Sequence, residues 1–384
     1  MKILIRPKLS AFIAPTFLLI FSLLISWYVS RLFLRMHIHE KLIPSPGLTR
    51  TIFLSDYAPF LKNTAGDTRI YFYQGKQDGG SVLILGGTHP DEPAGYVTTY
   101  LLVENVGVVN GSVWIIPRAN NSAFTHNLPQ EGMPQFFSIG TRVFRYGARI
   151  TNSIHQWPDP EIYLHYPSGQ KLAGNETRNL NRAYPGRTDG NLTEQIAYAI
   201  MQLIEKEKID IAFDLHEASP EYPVVNAIVS PTKNQDIATE AAMELEFDGL
   251  RYSLEQSPYN FRGLSHREWA EFTKTNPFLF ETANPIQGRL RGRTDADLLI
   301  TGRDKMYLQA AKIGVLTVPY DSTGLPLKIR VARHITALIK VLEIYSRYNP
   351  DKAIVLSGIP TYEELETNGL EKYFLRKTDH GIRP

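Results

Sequence analysis

SVLILGGTHPDEPAGYVTTYLLVENV, residues 81–106, is the stretch whose reading decides the fold. Residues 81–87 are a short apolar run closed by two glycines, the pattern of a strand buried on both faces. Residues 93–106 read as a helix opening on Pro93, whose missing N–H would have no intrahelical partner in a first turn. Between strand and helix lie His89 and Glu92, three apart, leaving the strand through a glycine turn. An imidazole and a carboxylate at that spacing can share one Zn²⁺. A lone H-x-x-E is usually a solvated pair; here the preceding strand and glycines present it at a cleft.

Outward from this unit the alternation continues. Strands are expected at 111–117, 209–216, 224–230 and 278–282. Helices are expected at 192–208 with Thr193 as cap, at 235–247, at 295–314 and at about 330–347. Strands alternating with helices predict an α/β fold: a mostly parallel, mixed sheet flanked by helices on both faces. Residues 120–178 show weak periodicity with many Gly and Pro, and read as a long insertion overhanging the site. Residues 351–384 read as a polar, poorly patterned tail after a domain at 51–350.

The chain has 384 residues, 43% hydrophobic and 21% charged, with a formal net charge of +2. No long run of Lys and Arg interrupts this balance, which argues against nucleic acid as a partner. The absence of cysteine excludes disulfides, thiolate nucleophiles and Cys-based zinc sites. A metal site must then use His, Asp and Glu.

From Leu9 to Ser30 there is no charged residue, enough apolar length for a helix to cross a bilayer. Lys2, Arg6 and Lys8 precede the run, and Trp27 and Tyr28 sit near its far end, where aromatic side chains favour the interface. No A-x-A site follows it. Residues 1–30 therefore read as an uncleaved membrane anchor and 31–50, ending in Pro44-Ser45-Pro46-Gly47, as a juxtamembrane linker. The body is expected on the extracytoplasmic side.

Three more segments carry chemistry. In FDLHEA, 213–218, Asp214 and His216 share one face of a strand, so His216 can be a third ligand with Asp214 orienting a ligand. Alternation points Glu217 the other way, although a lone strand histidine is more often a satisfied core residue. In TRNLNRAYPG, 177–186, Arg178, Asn181 and Arg182 concentrate donors in a loop. A guanidinium can hold a substrate carboxylate with two parallel hydrogen bonds, though alone this is an ordinary basic turn. In FLFETANP, 278–285, Glu281 ends an apolar strand whose flank would raise its pKa toward that of a useful base. Tyr259, in a loop upstream of Glu281, reads as a surface aromatic before a substrate-binding one.

In this order the segments resemble the zinc carboxypeptidase superfamily, in particular its succinylglutamate desuccinylase and aspartoacylase branch. The shared pattern is a strand, H-x-x-E, an N-R pair followed by aromatic-Pro-Gly, D-L-H and a late Glu. IIPRANNSAF, 115–124, is similar to that family's second strand and loop, and the resemblance spans roughly residues 80–320. It implies that His89, Glu92 and His216 bind one Zn²⁺ per chain, that Glu281 is the base, and that Asn181 and Arg182 bind a substrate carboxylate. Arg178 would polarise the scissile carbonyl. Asn179 departs from the pattern, since the family often has Asp there, and a neutral amide supports a ligand less strongly. After Glu281 the chain continues with two helices, as carboxypeptidases do. The implied activity is amide hydrolysis of a small-molecule or peptide substrate carrying a carboxylate, of N-acyl amino acid deacylase type. A metallocarboxypeptidase or cell-wall peptidase, and a non-catalytic binding module, are the alternatives.

Overall fold

The computed structural model describes residues 10–128 and 131–374. Lys2, Arg6 and Lys8, residues 129–130 of the insertion and residues 375–384 of the tail lie outside the described residues. The chain divides into two units, Met1–His39 and Glu40–Pro384. The first carries helix α1, Ser10–Met36, which runs six residues beyond Ser30 and takes in Arg31 and Arg35. Its segment Phe12–Met36 has a hydropathy of 2.1 and is long and apolar enough to cross a membrane. Its apolar side chains, from Phe12 to Leu34, are largely exposed.

In the second unit the elements follow as β1 (Arg50–Phe53), β2 (Arg69–Gln74), β3 (Gln77–Leu85), α2 (Pro93–Asn105) and β4 (Gly107–Ile116). The insertion forms two short hairpins, β5 (Phe136–Ile139) with β6 (Arg142–Arg145), and β7 (Ile162–Leu164) with β8 (Lys171–Ala173). Then come α3 (Leu192–Lys206), β9 (Ile211–Ala218), β10 (Ala227–Ser230), α4 (Gln235–Phe247), β11 (Ser253–Gln256), α5 (Ser265–Phe272) and β12 (Asn276–Ala283). The chain continues through α6 (Ala296–Thr301), α7 (Lys305–Lys312), α8 (Leu327–Tyr348), β13 (Val355–Ser357), α9 (Tyr362–Asn368) and α10 (Glu371–Phe374).

The main sheet has the order β1-β2-β4-β3-β9-β12-β10-β11, with β13 paired to the start of β4. It is mixed: the centre β4-β3-β9-β12 is parallel, as is β10–β11, whereas β1–β2, β2–β4, β10–β12 and β13–β4 are antiparallel. Parallel central strands must be covered on both faces, and they are. Ile211, Phe213 and Leu215 of β9 and Phe278 and Phe280 of β12 pack against α2, α4 and α8. Ala212 faces the other way, into the cluster formed by α3 and Trp269 of α5. By alternation Asp214, His216, Leu279 and Glu281 lie on this second face. Each fully buried large apolar side chain contributes roughly 1.5–3 kcal/mol.

Three expectations are corrected. The cap of α3 is Asn191, whose side chain accepts from the Glu194 N–H while the Glu194 carboxylate returns to Asn191 N. Thr193 lies inside the helix and is bonded to Gln156. The helix expected at 295–314 is two, because Gly302 closes α6 in the left-handed conformation (φ 63°) and Asp304 caps α7. The tail is not without pattern: β13 joins the sheet, and Leu365, Leu370, Tyr373 and Phe374 are buried against α2 and α8.

Candidate metal centre

Two glycines set the geometry. Gly87 turns the chain out of β3 with φ +68°, and a Cβ there would lie 2.8 Å from the Phe124 ring. Gly95 lets the first turn of α2 lie against β9; a Cβ there would meet Leu215 O at 2.3 Å. This close approach carries Glu92, at the N-cap of α2, to the end of β9 where His216 sits.

His89 Nδ1 lies 2.8 Å from Glu92 Oε1, and His216 Nδ1 lies 2.8 Å from Glu92 Oε2. One ligand atom from each of the three falls within 4.8 Å of the others, and all three residues are buried. The opposite ring nitrogens are held from behind. His89 Nε2 is 2.9 Å from Asn179 Oδ1, and His216 Nε2 is 2.9 Å from Asp214 Oδ2, an ion-pair contact without hydrogen-bond geometry. Asp214 Oδ1 accepts in turn from Thr88 Oγ1 at 2.7 Å. Two imidazoles and a carboxylate, converging and oriented through their far nitrogens, are a donor set that fits Zn²⁺.

Burial, with Arg149 nearby, lowers the His89 imidazole to about 4, so its lone pair is free near neutral pH. Burial would lower His216 as well, but Asp214 and Glu92 outweigh it and hold the imidazolium well above its usual range. Burial likewise opposes ionisation of Glu92, and the two histidines overcome it, holding that carboxyl well below the usual range.

Glu281 pairs in register with His216 on the adjacent strand. Its Oε2 is buried and has no hydrogen-bond partner among the described residues. Burial pushes its carboxyl up to about 8, with the His216 charge pulling the other way and Glu92 adding to the rise. Glu217, one residue past His216, turns away: Arg330 Nη1 donates to its Oε1 at 2.5 Å and Ala94 N to its Oε2 at 2.7 Å.

The arginines divide differently from the sequence expectation. Arg178 does not line the cleft. Its Nε and Nη2 fork onto Asp159, each at 2.7 Å, and its Nη1 donates to Thr151 O at 2.8 Å, so the guanidinium is engaged away from His89, Glu92 and His216. The arginine at the centre is Arg149, whose Nη1 donates to Glu92 Oε1 at 2.8 Å while 38% of its side chain stays open. No motif marks Arg149; it comes from the insertion. Gln287 Nε2 also donates to Glu92 Oε1, at 3.2 Å.

Asn181 and Arg182 do line the cleft. Asn181 Oδ1 accepts from Ser265 N at 2.8 Å. Arg182 stacks on Phe261, with its guanidinium carbon 4.5 Å from the ring centre, and donates to Asn181 O at 2.6 Å. Burial and Arg149 lower the Arg182 guanidinium to about 10, which leaves it charged at neutral pH. Tyr259 is 78% exposed and does not line the cleft. Its ring lies under Arg267 instead. The cleft encloses about 610 Å³, with an apolar wall that includes Leu264, Val229, Leu279 and Phe261.

No family model matches the chain, and no curated protein matches it. Among solved structures it is similar to the ectoine utilization protein EutE from Ruegeria pomeroyi, with product bound, at 20% identity and TM-score 0.36, covering 56% of this chain and 53% of that one. It is similar to the cell shape determinant protein Csd4 from Helicobacter pylori at 14% identity and TM-score 0.48, covering 79% and 59%. A succinylglutamate desuccinylase from a Silicibacter species aligns at 15% identity and TM-score 0.40, covering 79% and 70%. The chain thus spans 53% and 59% of the length of the first two.

Proposed function

We propose that the chain is a zinc-dependent hydrolase cleaving an amide bond of a carboxylate-bearing substrate, a deacylase of the N-acyl amino acid type. One observation carries the reading: Glu281, half-buried with its Oε2 buried and without a hydrogen-bond partner among the described residues, stands beside His216 in the cleft where three ligand atoms converge. A carboxylate oxygen buried with neither a partner nor a chemical role would only cost stability.

His89, Glu92 and His216 hold the metal, and Asn179 and Asp214 fix the two imidazoles. Zinc, when bound, supplies a Lewis acid and lowers the pKa of a water toward about 7. The Glu281 carboxyl would be drawn back down by a neighbouring cation held by His89, Glu92 and His216, and the ionised Glu281 would then accept a proton from the attacking water and return it to the leaving nitrogen. Arg149, and not Arg178, donates to the scissile carbonyl oxygen, because its guanidinium is the one open beside Glu92. Asn181, whose Oδ1 is taken by Ser265 N, donates through Nδ2, and Arg182, with Nη1 on Asn181 O and Nε 3.7 Å from Glu176 Oε2, offers its remaining N–H groups; together they hold the substrate carboxylate. The N-terminal helix anchors the chain in a membrane, with the body extracytoplasmic.

A metallocarboxypeptidase or cell-wall peptidase would use the same residues, and the apolar wall of a cavity of about 610 Å³ favours that reading for larger substrates. The deciding experiment offers the zinc-loaded protein N-acyl amino acids and short peptides, each with its carboxylate free or amidated. Hydrolysis confined to the free carboxylates supports the proposal, and preference for acyl amino acids or for peptides chooses between the two forms. Binding without turnover across the whole panel would leave a non-catalytic module. Arg182→Lys keeps the charge and loses the fork, so kcat/KM on carboxylated substrates should fall by about tenfold. An equal loss on amidated substrates would make Arg182 structural.

A further inference from the structure

His266 lines the same cleft as Asn181 and Arg182, yet none of the roles above uses it. It lies in the first turn of α5 and is 2% exposed. Neither ring nitrogen has a hydrogen-bond partner among the described residues. A neutral imidazole brings one donor and one acceptor, and burying both unpaired gives up their hydration with nothing returned. Phe or Leu would fill the same space on α5 without that loss. The ring is also tied to the substrate end of the cleft, because the N–H of its neighbour Ser265 donates to Asn181 Oδ1 at 2.8 Å. Across the other side of Asn181, the Arg182 guanidinium donates to the Asn181 carbonyl. Asn181 thus couples α5 to the loop carrying Arg182.

We propose that His266 is a specificity-determining residue whose N–H donates to the substrate carboxylate held by Asn181 and Arg182, making a three-residue carboxylate subsite. The assignment rests on the proposed carboxylate role of Asn181 and Arg182. The metal ligands act on the amide, whereas His266 acts on the acid group. Loss of His266 therefore shows in binding of acids and leaves the chemical step in place.

The test uses the full chain, zinc-loaded, with N-benzoylglycine and N-benzoylglycinamide as probes. His266→Phe keeps the ring volume and removes both polar atoms. It should raise KM and the calorimetric Kd for the acid by about tenfold, the worth of a hydrogen bond to a charged group, leave kcat nearly unchanged, and not affect the amide. Its melting temperature should hold or rise, since an unpaired buried polar ring is removed. His266→Gln, which restores a donor and an acceptor, should recover most of the affinity for the acid. Equal weakening of acid and amide, a fall in melting temperature in both variants, or unchanged affinity for the acid in His266→Phe would overturn the assignment; in the last case a buried water satisfies the ring. If the acid binds in a His266-dependent way but is never cleaved, the hydrolase reading fails and the subsite stands. Cleavage indifferent to His266 has the reverse meaning.

Discussion

Glu281 on β12 stands directly opposite His216 on β9, as partners in one parallel ladder. Neighbouring strands lie about 4.8 Å apart, and paired residues share a face of the sheet. The carboxylate is therefore set beside the imidazole by strand register, independently of any loop. A slip of one residue would exchange Glu281 for Phe280 or Thr282 and turn the carboxylate into the opposite core.

Glu281→Gln should fold, hold zinc and bind substrate, while kcat falls by about 10²–10⁴-fold. A second reading comes from stability after chelation. The folded-state carboxyl is raised to about 8 from an ordinary 4.5, so the folded chain holds a proton that the unfolded chain releases between those values. The stability this gives is present at low pH and lost as pH rises through about 8. The chelated parent should lose melting temperature relative to Glu281→Gln over that window, and parallel curves would reject the buried, unpaired carboxyl. Near-normal kcat in the zinc-loaded variant would remove Glu281 as the base.

A cation entering the site must displace the proton that Asp214 and Glu92 keep on His216. Zinc uptake should release protons, and apparent affinity should fall on acidification. His89→Ala and His216→Ala should each lose stoichiometric zinc by elemental analysis. Asn179→Asp combined with Glu176→Gln, which puts a charge behind His89 Nε2 without setting it against the Glu176 carboxylate that accepts from Asn179 Nδ2 at 2.7 Å, should tighten binding by about tenfold. Full zinc occupancy in both alanine variants would end the ligand assignment.

The two arginines should separate cleanly. Arg149→Met should keep its zinc and lose kcat by about 10²–10³-fold, as expected for removal of a donor to developing negative charge. Arg178→Met should lower stability by about 1–3 kcal/mol, because Asp159 loses a forked partner, and leave kcat close to the parent's. The opposite pattern in steady-state kinetics and thermal melts would return the catalytic role to Arg178.

The full chain should stay in the membrane fraction through a carbonate wash, and a chain beginning at Glu40 should be recovered in the soluble fraction. Protease added to intact cells should digest the body. Protection until lysis would reverse the proposed orientation.

What the sequence determined by itself is the central frame and the donors attached to it. His89, Glu92, His216 and Glu281 all stand at or just past the ends of apolar strands, and local alternation is enough to place Asp214 with His216 and to turn Glu217 away. Asn179 stood out only through the resemblance, as the neutral residue where Asp is common, and the structure is what sets it behind His89. Tertiary structure decided the rest. Arg149 and Arg178 both come from irregular chain, and only the position of Asp159 determines which guanidinium is engaged and which is open. His266 and Gln287 reach the cleft because α5 and the turn after β12 pack there, which no local period encodes. Leu365, Leu370, Tyr373 and Phe374 form short elements only because α2 and α8 present an apolar face to cover. Strand ends carry their own signal in the alternation of neighbouring residues, whereas a loop side chain takes its direction from partners far away in the chain.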